Sequence, residues 1–455
     1  MCGLAAILAY AAGAPSVDET ELLAIREAML ARGPDGDGLW VAPDQSVGLA
    51  HRRLAIIDLT NAAAQPMAFE EGRYRITYNG EIYNFKALKA RLKTQGHVFK
   101  TQSDTEVLLH LYHRHGVEMV KELRGMFAFA IWDDTKHGMF LARDSFGIKP
   151  LYYADDGKTL RVASQVKALR AGGHAGVGVN AAGHVGFYLF GSVPEPHTLF
   201  ADIKSLPAGH TLWVDRSGLQ TPVPYFSLAE HLAKPSPHSL GGAYQEQEII
   251  EVMHDALYDS VAHHFVSDVP VGVFLSAGLD STTLAAVAAE MNGVNLETFT
   301  LGFEEFKGTP WDEVTLAADV AKTLGTRHHV HWISKADFSA EVDPLLRAMD
   351  QPTIDGVNTY FVAKATHDLG LKVAISGLGG DELLGGYGET FGQIPKLVEG
   401  IGRIPGVRSV GRLFRALTAP FLKKGLSPKY AGALEYASRY GDAYLLHRGL
   451  FMPWE

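Results

Sequence analysis

The sequence predicts two differently built halves, an α+β half up to about residue 215 and an α/β half with a parallel sheet beyond it. Three observations predict this. Short strand-like runs broken by Gly- and Asp-rich turns dominate the first half, a Pro- and Gly-rich segment follows it, and past that segment apolar runs of strand length alternate with helical patterns. With 455 residues and 47% hydrophobic content, the chain is long enough for two or three domains with sizeable cores.

In the first half, Tyr74 to Tyr78 and Met139 to Ala142 read as strands. Asp18 to Leu30 carries apolar residues at helical spacing, and Ser103-Asp104-Thr105-Glu106 forms a capping box ahead of Val107, Leu108, Leu109 and Leu111. Pro222, Pro224, Pro235, Pro237 and Gly241-Gly242 give the next stretch the composition of a linker. The expected division is therefore 1–218, a linker at 219–244, and 245–455. In the last part helices are expected at Gln247 to Phe265, Thr282 to Glu290, Asp312 to Leu324 and Tyr360 to Leu369. Strands are expected at Val271 to Leu275, Glu297 to Gly302, His328 to Trp332 and Lys372 to Ser376. Such alternation implies helices on both faces of a parallel sheet, with ligands at the strands' carboxyl ends.

A formal net charge of −10 argues against a nucleic-acid binder, which needs a positive surface for phosphates. The opening MCGLAAILAYAAGAPS imitates a secretory leader, but no Lys or Arg precedes its apolar run, so a buried first strand is the expectation. No other stretch is long and apolar enough for a membrane span, which leaves the cytoplasm as the expected compartment. Cys2 is the single cysteine, which excludes an intramolecular disulfide. Loss of Met1 would place its thiol beside a free α-amine of reference pKa about 8, a general base that lets an N-terminal nucleophile activate itself. The competing reading is an inert buried cysteine.

The strings MCG, RGPDG, HRRLAIID, YNGEIYN, SDTEV, RGMFAFAIWD and ARDSFGIKPLYY follow one another in the first half. In their order and identity they resemble the class II glutamine amidotransferases, which implies an N-terminal-nucleophile hydrolase domain of sandwiched sheets. The resemblance implies that Cys2 attacks the side-chain amide of glutamine, giving a γ-glutamyl thioester and ammonia, with Asn79 and Gly80 as oxyanion donors. It also implies that Arg53 meets the α-carboxylate of glutamine and Asp104 its α-ammonium group, with Glu81 among the glutamine-binding residues. Asn79-Gly80 also reads as a hairpin turn, and Asp104 also reads as a member of the helix cap. Ala31 and Gln165 stand where the family has His and Glu.

In the second half the apolar run ending at Leu275 leads into Ser276-Ala277-Gly278-Leu279-Asp280-Ser281-Thr282, a small-residue loop before a helix that suits phosphate. It has neither the Gly-Lys-Ser/Thr of a P-loop nor a GxGxxG. It resembles the SGGxDS loop of ATP pyrophosphatases, with Ala277 in place of Gly, and Ser376-Gly377-Leu378-Gly379-Gly380-Asp381-Glu382 resembles the second motif of the asparagine synthetases. The resemblance implies ATP as a substrate with Mg²⁺ on Asp280 and Asp381. It further implies nucleotide contacts from Leu275, Ser276, Gly278, Asp280, Ser281, Leu301, Ser376 and Gly377. Asp381 and Glu382 also read as a helix cap.

The implied activity is amidation of aspartate to asparagine through an acyl-adenylate, using ammonia from glutamine. Leu378, where the family has Glu or Asp, keeps open another acceptor carboxylate such as a uronic acid of a surface polysaccharide, and a catalytically incomplete glutamine sensor is the reading from another class. The resemblance runs through YLLHRGLFMPWE and stops short of the helical part that supplies an essential lysine in that family, so an interrupted chain is expected. A homodimer is left open. His328, His329 and His331 are expected in a strand rather than a metal site, and the basic stretch Arg403, Arg408, Arg412, Arg415, Lys423, Lys424 and Lys429 on a solvated helical face rather than a membrane surface.

Overall fold

The computed structural model describes residues 1–234, 246–292, 295–422 and 427–455. The apolar start of the chain is the strand Gly3–Ala9, antiparallel to Val47–Arg53 on one side and Thr159–Ala163 on the other. Leu4, Ala6 and Leu8 enter one core while Ala5 and Ile7 enter another. A strand covered on both faces reads as a continuous apolar run, which is why this segment imitates a secretory leader.

That strand lies within a sheet of order Ile203–Ser205, Tyr152–Asp155, Thr159–Ala163, Gly3–Ala9, Val47–Arg53, Gly36–Val41. A second sheet runs Gly218–Leu219, His210–Asp215, Gly138–Arg143, Gly125–Asp133, Tyr74–Ile82, Met67–Phe69. The two sheets face each other across Leu4, Leu49, Ala128, Trp132 and Leu141. Helices Glu19–Glu27 and Val166–Ala171 cover the outer face of the first, and Phe85–Thr94 and Asp104–His115 that of the second. The expected sandwiched sheets are thus a four-layer helix, sheet, sheet, helix stack.

Local details depart from the sequence reading. The first helix is Glu19–Glu27, shorter than expected, and Asp18 stands outside it as its cap, accepting from the Thr20 amide at 2.8 Å. The capping box at 103–106 is half made: Ser103 Oγ accepts from the Thr105 amide, but Glu106 turns to the amides of Lys100 and Thr101 instead of Ser103. The preceding loop folds back over the helix start, and the Ser103 amide donates to Thr101 Oγ1 instead, at 3.1 Å. Asn79-Gly80 is no hairpin turn. Both residues lie inside Tyr74–Ile82, opposite Ala128 and Phe127, because nine residues there pair continuously with Gly125–Asp133.

Gly218–Leu219 and Val223–Pro224 both pair with His210–Asp215, so the second sheet continues into the segment expected to be a linker. A short helix, Leu228–Ala233, follows, and Pro235, Pro237, Gly241 and Gly242 lie outside the described residues.

The second half carries the expected parallel sheet, in the order Arg327–Ile333, Glu297–Phe303, Val271–Phe274, Val373–Ile375. Its helices Glu246–His264, Leu279–Asn292, Glu313–Leu324 and Gly356–Asp368 match the four expected, and His328, His329 and His331 lie in an edge strand. Lys335–Ala348 was not expected, although Ser334 and Asp337 form a complete capping box there. The basic stretch is solvated in part and paired in part. On helix Val407–Leu422, Arg412 and Arg415 both pair with the buried carboxylate of Glu435, at 3.2 and 2.6 Å; Arg412 stays exposed as expected, while Arg415 is half-buried and stacks on Trp454. Val410, Leu413 and Leu417 are exposed as well. Lys423 and Lys424 lie outside the described residues.

Candidate active site

Cys2 immediately precedes the interior strand Gly3–Ala9. Its sulfur meets the backbone just past Val47–Arg53, with the Leu54 amide 3.3 Å and the Leu54 carbonyl 3.6 Å away. Arg32, in the RGPDG turn, donates through Nε to the Cys2 carbonyl at 2.9 Å. Gly33 beside it is required by space, because a Cβ there would come within 2.5 Å of the Arg52 and Arg53 backbone. The motif therefore works as a clamp on the start of the chain. Ala31, one of the noted departures, is exposed.

One cavity gathers Met1, Cys2, Arg53, Asn79, Gly80, Glu81, Asp104 and Lys149. All six residues expected to act on glutamine thus come together. Asn79 is 1% exposed, and its amide nitrogen has no hydrogen-bond partner. A buried donor left unpaired costs about 1–3 kcal/mol, and it is available to an oxygen that develops charge during a reaction. Gly80 is held to its identity by packing, since a Cβ would lie 2.3 Å from the Met126 carbonyl oxygen. Arg53 is oriented by donating to the carbonyls of Asp58 and, at 2.8 Å, Thr60. Asp104 does not cap its helix with its carboxylate, because Ser103 has that role. It accepts instead from Tyr78 Oη at 2.8 Å and the Ile82 amide at 3.0 Å, which ties the helix start to the strand that carries Asn79.

The electrostatics are those of a closed polar pocket. Burial lowers the terminal amine of Met1 to about 5, with Lys149 and Arg32 adding to the effect. Although half of Met1 is exposed, that amine lies inside. Burial raises the Cys2 thiol, opposed by the Leu54 hydrogen bond and by the positive charges of Lys149 and Arg32. Burial raises Glu81 to about 7, against the pull of Lys149, and raises Asp104 as well. Lys149 is itself lowered by burial while Glu81 raises it. Sequence reasoning missed Lys149. Its signal was a lone lysine in ARDSFGIKPLYY, where Arg143 donates to the carbonyls of Gly147 and Lys149 and Asp144 accepts from the Lys149 amide.

A second site lies at the carboxyl end of the parallel sheet. Ser281 Oγ draws the loop after Val271–Phe274 into a tight arch, 2.8 Å from Ser276 Oγ and 3.1 Å from both the Ser276 amide and the Gly278 carbonyl. Ala277 is not among the residues with positive φ, so its methyl fits where the related motif has glycine. The second loop packs against the first through glycines: a Cβ on Gly380 would lie 2.3 Å from Asp280 Oδ2, and one on Gly377 would lie 3.0 Å from the Ser281 amide. Asp280, Ser376 and Gly377 share a cavity with Leu378, whose side chain is 92% exposed. Asp381 lies in the first turn of the short helix Gly380–Leu384, against Gly386. Leu301 lines a separate cavity with Phe274, Phe299 and His329, and both backbone groups of Leu275 are already bonded, to Phe299 and Thr300. The loop residues are therefore brought together; Leu275 adjoins Ser276 at the strand end, and Leu301 lies on the neighbouring strand.

Several contacts join the halves. Asp350 accepts from the amides of Val166 and Lys167, at 2.8 and 2.9 Å, so a carboxylate of the second half caps a helix of the first whose own cap, Gln165, makes no such bond. Lys372 donates to Asp35 in the RGPDG turn at 2.7 Å. Among the described residues no helix is long and apolar enough to cross a membrane.

Comparison with known proteins separates the same two parts. The glutamine amidotransferase domain family matches residues 1–226, and the asparagine synthase family matches residues 253–448. The chain is 36% identical over 454 residues to asparagine synthetase [glutamine-hydrolyzing] 1 of Bacillus subtilis, an alignment covering 99% of this chain and 69% of that protein. It is 35% identical over 461 residues to a putative asparagine synthetase [glutamine-hydrolyzing] of Mycobacterium bovis, covering 97% and 68%. It is also 30% identical over 390 residues to amidase chry2 of Gibberella zeae, covering 78% and 54%. A thiol pocket in one half, a two-loop site in the other and relatives that match both place this chain in the glutamine-hydrolysing asparagine synthetase family.

Proposed function

We propose that this chain removes the side-chain nitrogen of glutamine at Cys2 and transfers it to the carboxylate of aspartate, activated by ATP in the second half, to give asparagine. The pocket described above carries the reading: a sulfur, an unpaired buried amide donor, an arginine and two buried carboxylates converge in it. Loss of Met1 makes the amine of Cys2 the terminal one. That amine, of reference pKa about 8, then stands beside the thiol and can take its proton. The thiolate adds to the amide carbon of glutamine, and Asn79 Nδ2 with the Gly80 N–H receives the oxyanion. Ammonia leaves, and water then releases glutamate from the thioester. Arg53 takes the α-carboxylate as a forked donor, and Glu81 and Asp104 face the α-ammonium.

In the second half the arch of Ser276, Gly278 and Ser281 at a helix start suits the pyrophosphate of ATP. Asp280 and Asp381 fit Mg²⁺, which commonly takes one or two carboxylates beside substrate phosphates, and the glycines at 377, 380 and 386 keep space beside both groups. The ion would neutralise charge on the departing pyrophosphate. The test supplies glutamine, ATP, Mg²⁺ and aspartate and looks for asparagine and AMP in equal amounts. Asparagine without AMP, or neither product, overturns the reading.

A second acceptor is favoured by Leu378, which puts an exposed aliphatic side chain into the loop cavity where related enzymes carry an acid. Pyrophosphate release with a uronic acid and none with aspartate would select it.

A further inference from the structure

We infer that Asp268, a residue of the second half, is a positioning residue for the glutamine pocket of the first. The inference rests on the reading of that pocket as the glutamine site. Asp268 stands between helix Glu246–His264 and strand Val271–Phe274, three residues ahead of the strand that leads to the Ser276 arch. Its backbone N–H donates to the Ile56 carbonyl at 3.0 Å, and its Oδ2 accepts from the Asp58 amide at 2.8 Å. The two bonds bracket Ile56-Ile57-Asp58, and Ile56 and Ile57 line the cavity with Cys2. The turn that presents Asp268 is self-supporting, since Ser267 Oγ accepts from the Val269 amide at 3.1 Å.

What the bracket holds is the joint between two walls of the pocket. Asp58 has φ +50°, a left-handed backbone that a residue with a Cβ keeps only where its surroundings fix it. Its carbonyl receives Arg53. Its carboxylate accepts from the Thr60 hydroxyl at 2.6 Å and from the Gln102 amide at 2.8 Å, two residues before Asp104. Arg53 and Asp104 are the groups assigned to the two ends of the amino-acid moiety of glutamine, so their separation depends on the conformation of Asp58. Within the first half that conformation has bonds from Thr60 and Gln102 to the carboxylate and from Arg53 to the carbonyl. The remaining group, the Asp58 amide, is satisfied from the other half of the chain.

Substrate positioning that is equal in the ground and transition states moves KM and leaves kcat alone. Steady-state glutaminase kinetics on the full chain test this with Asp268→Ala and Asp268→Asn. Removing the acceptor in Asp268→Ala raises the glutamine KM about tenfold with kcat within about twofold of wild type. Asp268→Asn keeps a carbonyl oxygen for the Asp58 amide and restores KM to within about twofold. An unchanged KM in Asp268→Ala, an equal fall in kcat, or no rescue by Asn overturns the inference. Should Asp268→Ala fail to fold by circular dichroism, amide exchange on the wild-type protein decides: the Asp58 amide exchanges slowly if bracketed, and exchange at the rate of an open loop overturns the inference. Cys2→Ala serves as the control, because hydrolysis retained there sinks the pocket assignment itself and leaves the bracket to be judged by exchange alone.

Discussion

The thiol pocket and the two-loop site differ in how much of each is already formed. In the first half, side chains come from strands and a helix start inside a four-layer stack, and Asn79, Glu81, Asp104 and Lys149 are all buried. In the second, the groups stand on two loops at the open end of a parallel sheet, and Leu378, Leu383 and Leu384 are exposed. A pocket built from the body of a sheet keeps its donors fixed without substrate and bears the cost in desolvated groups. A site built from glycine loops keeps more of its groups in reach of solvent and depends on the close approach that the glycines allow. The first is therefore sensitive to single polar atoms and the second to single methyl groups.

The sharpest break of this comparison is at the nucleophile. Cys2→Ala is expected to lower glutaminase turnover about 10⁴-fold or more, measured by glutamate release, with ATP binding unchanged. Asn79→Ala comes next, at about 10²–10³ in kcat, the effect of losing one oxyanion donor. If it instead raises KM alone, the unpaired amide serves binding and not the oxyanion.

Glu81 offers a test by pH. Its folded pKa of about 7 lies above the ordinary carboxylate value, so the folded state holds a proton that the unfolded state releases. Its effect on stability is absent below the unfolded pKa and grows unfavourable as pH rises from about 4.5 through 7. Glu81→Gln removes that penalty and should be more stable than wild type at pH 8 by about 3 kcal/mol in denaturant titration, with the gain vanishing near pH 4. A gain independent of pH would show that burial of the charge is not its source. The smallest effect belongs to the loops. Gly380→Ala puts a methyl against Asp280 and should weaken MgATP binding about tenfold by calorimetry while glutaminase turnover stays as it was.

Much of both sites was legible because the groups are local in sequence. Asn79, Gly80 and Glu81 are consecutive, and the arch from Ser276 to Ser281 is one turn between a strand and a helix, so each is a contiguous string on which a family resemblance can be recognised. The misreadings have a common cause. Asn79-Gly80 has turn chemistry, yet nine residues of ladder pairing with Gly125–Asp133 outweigh a two-residue preference. Within the basic stretch Arg412 is solvated as read but Arg415 is half-buried, because helical periodicity does not say which cation finds a buried Glu435. Lys149 was invisible because its importance comes from Cys2 and Glu81, which are distant in sequence.

By itself the sequence determined the two-part architecture, because periodicity is a property of neighbouring residues, and its ordered motifs carried the resemblance that proposes Cys2 as the nucleophile and the loop from Ser276 as the phosphate loop. Only the tertiary structure decided that Asn79 is left unpaired, that Asp104 binds a strand instead of capping its helix, and that Asp268 and Asp350 reach from one half into the other. Those facts depend on which groups meet across long stretches of chain, and on which buried donors and acceptors find partners there.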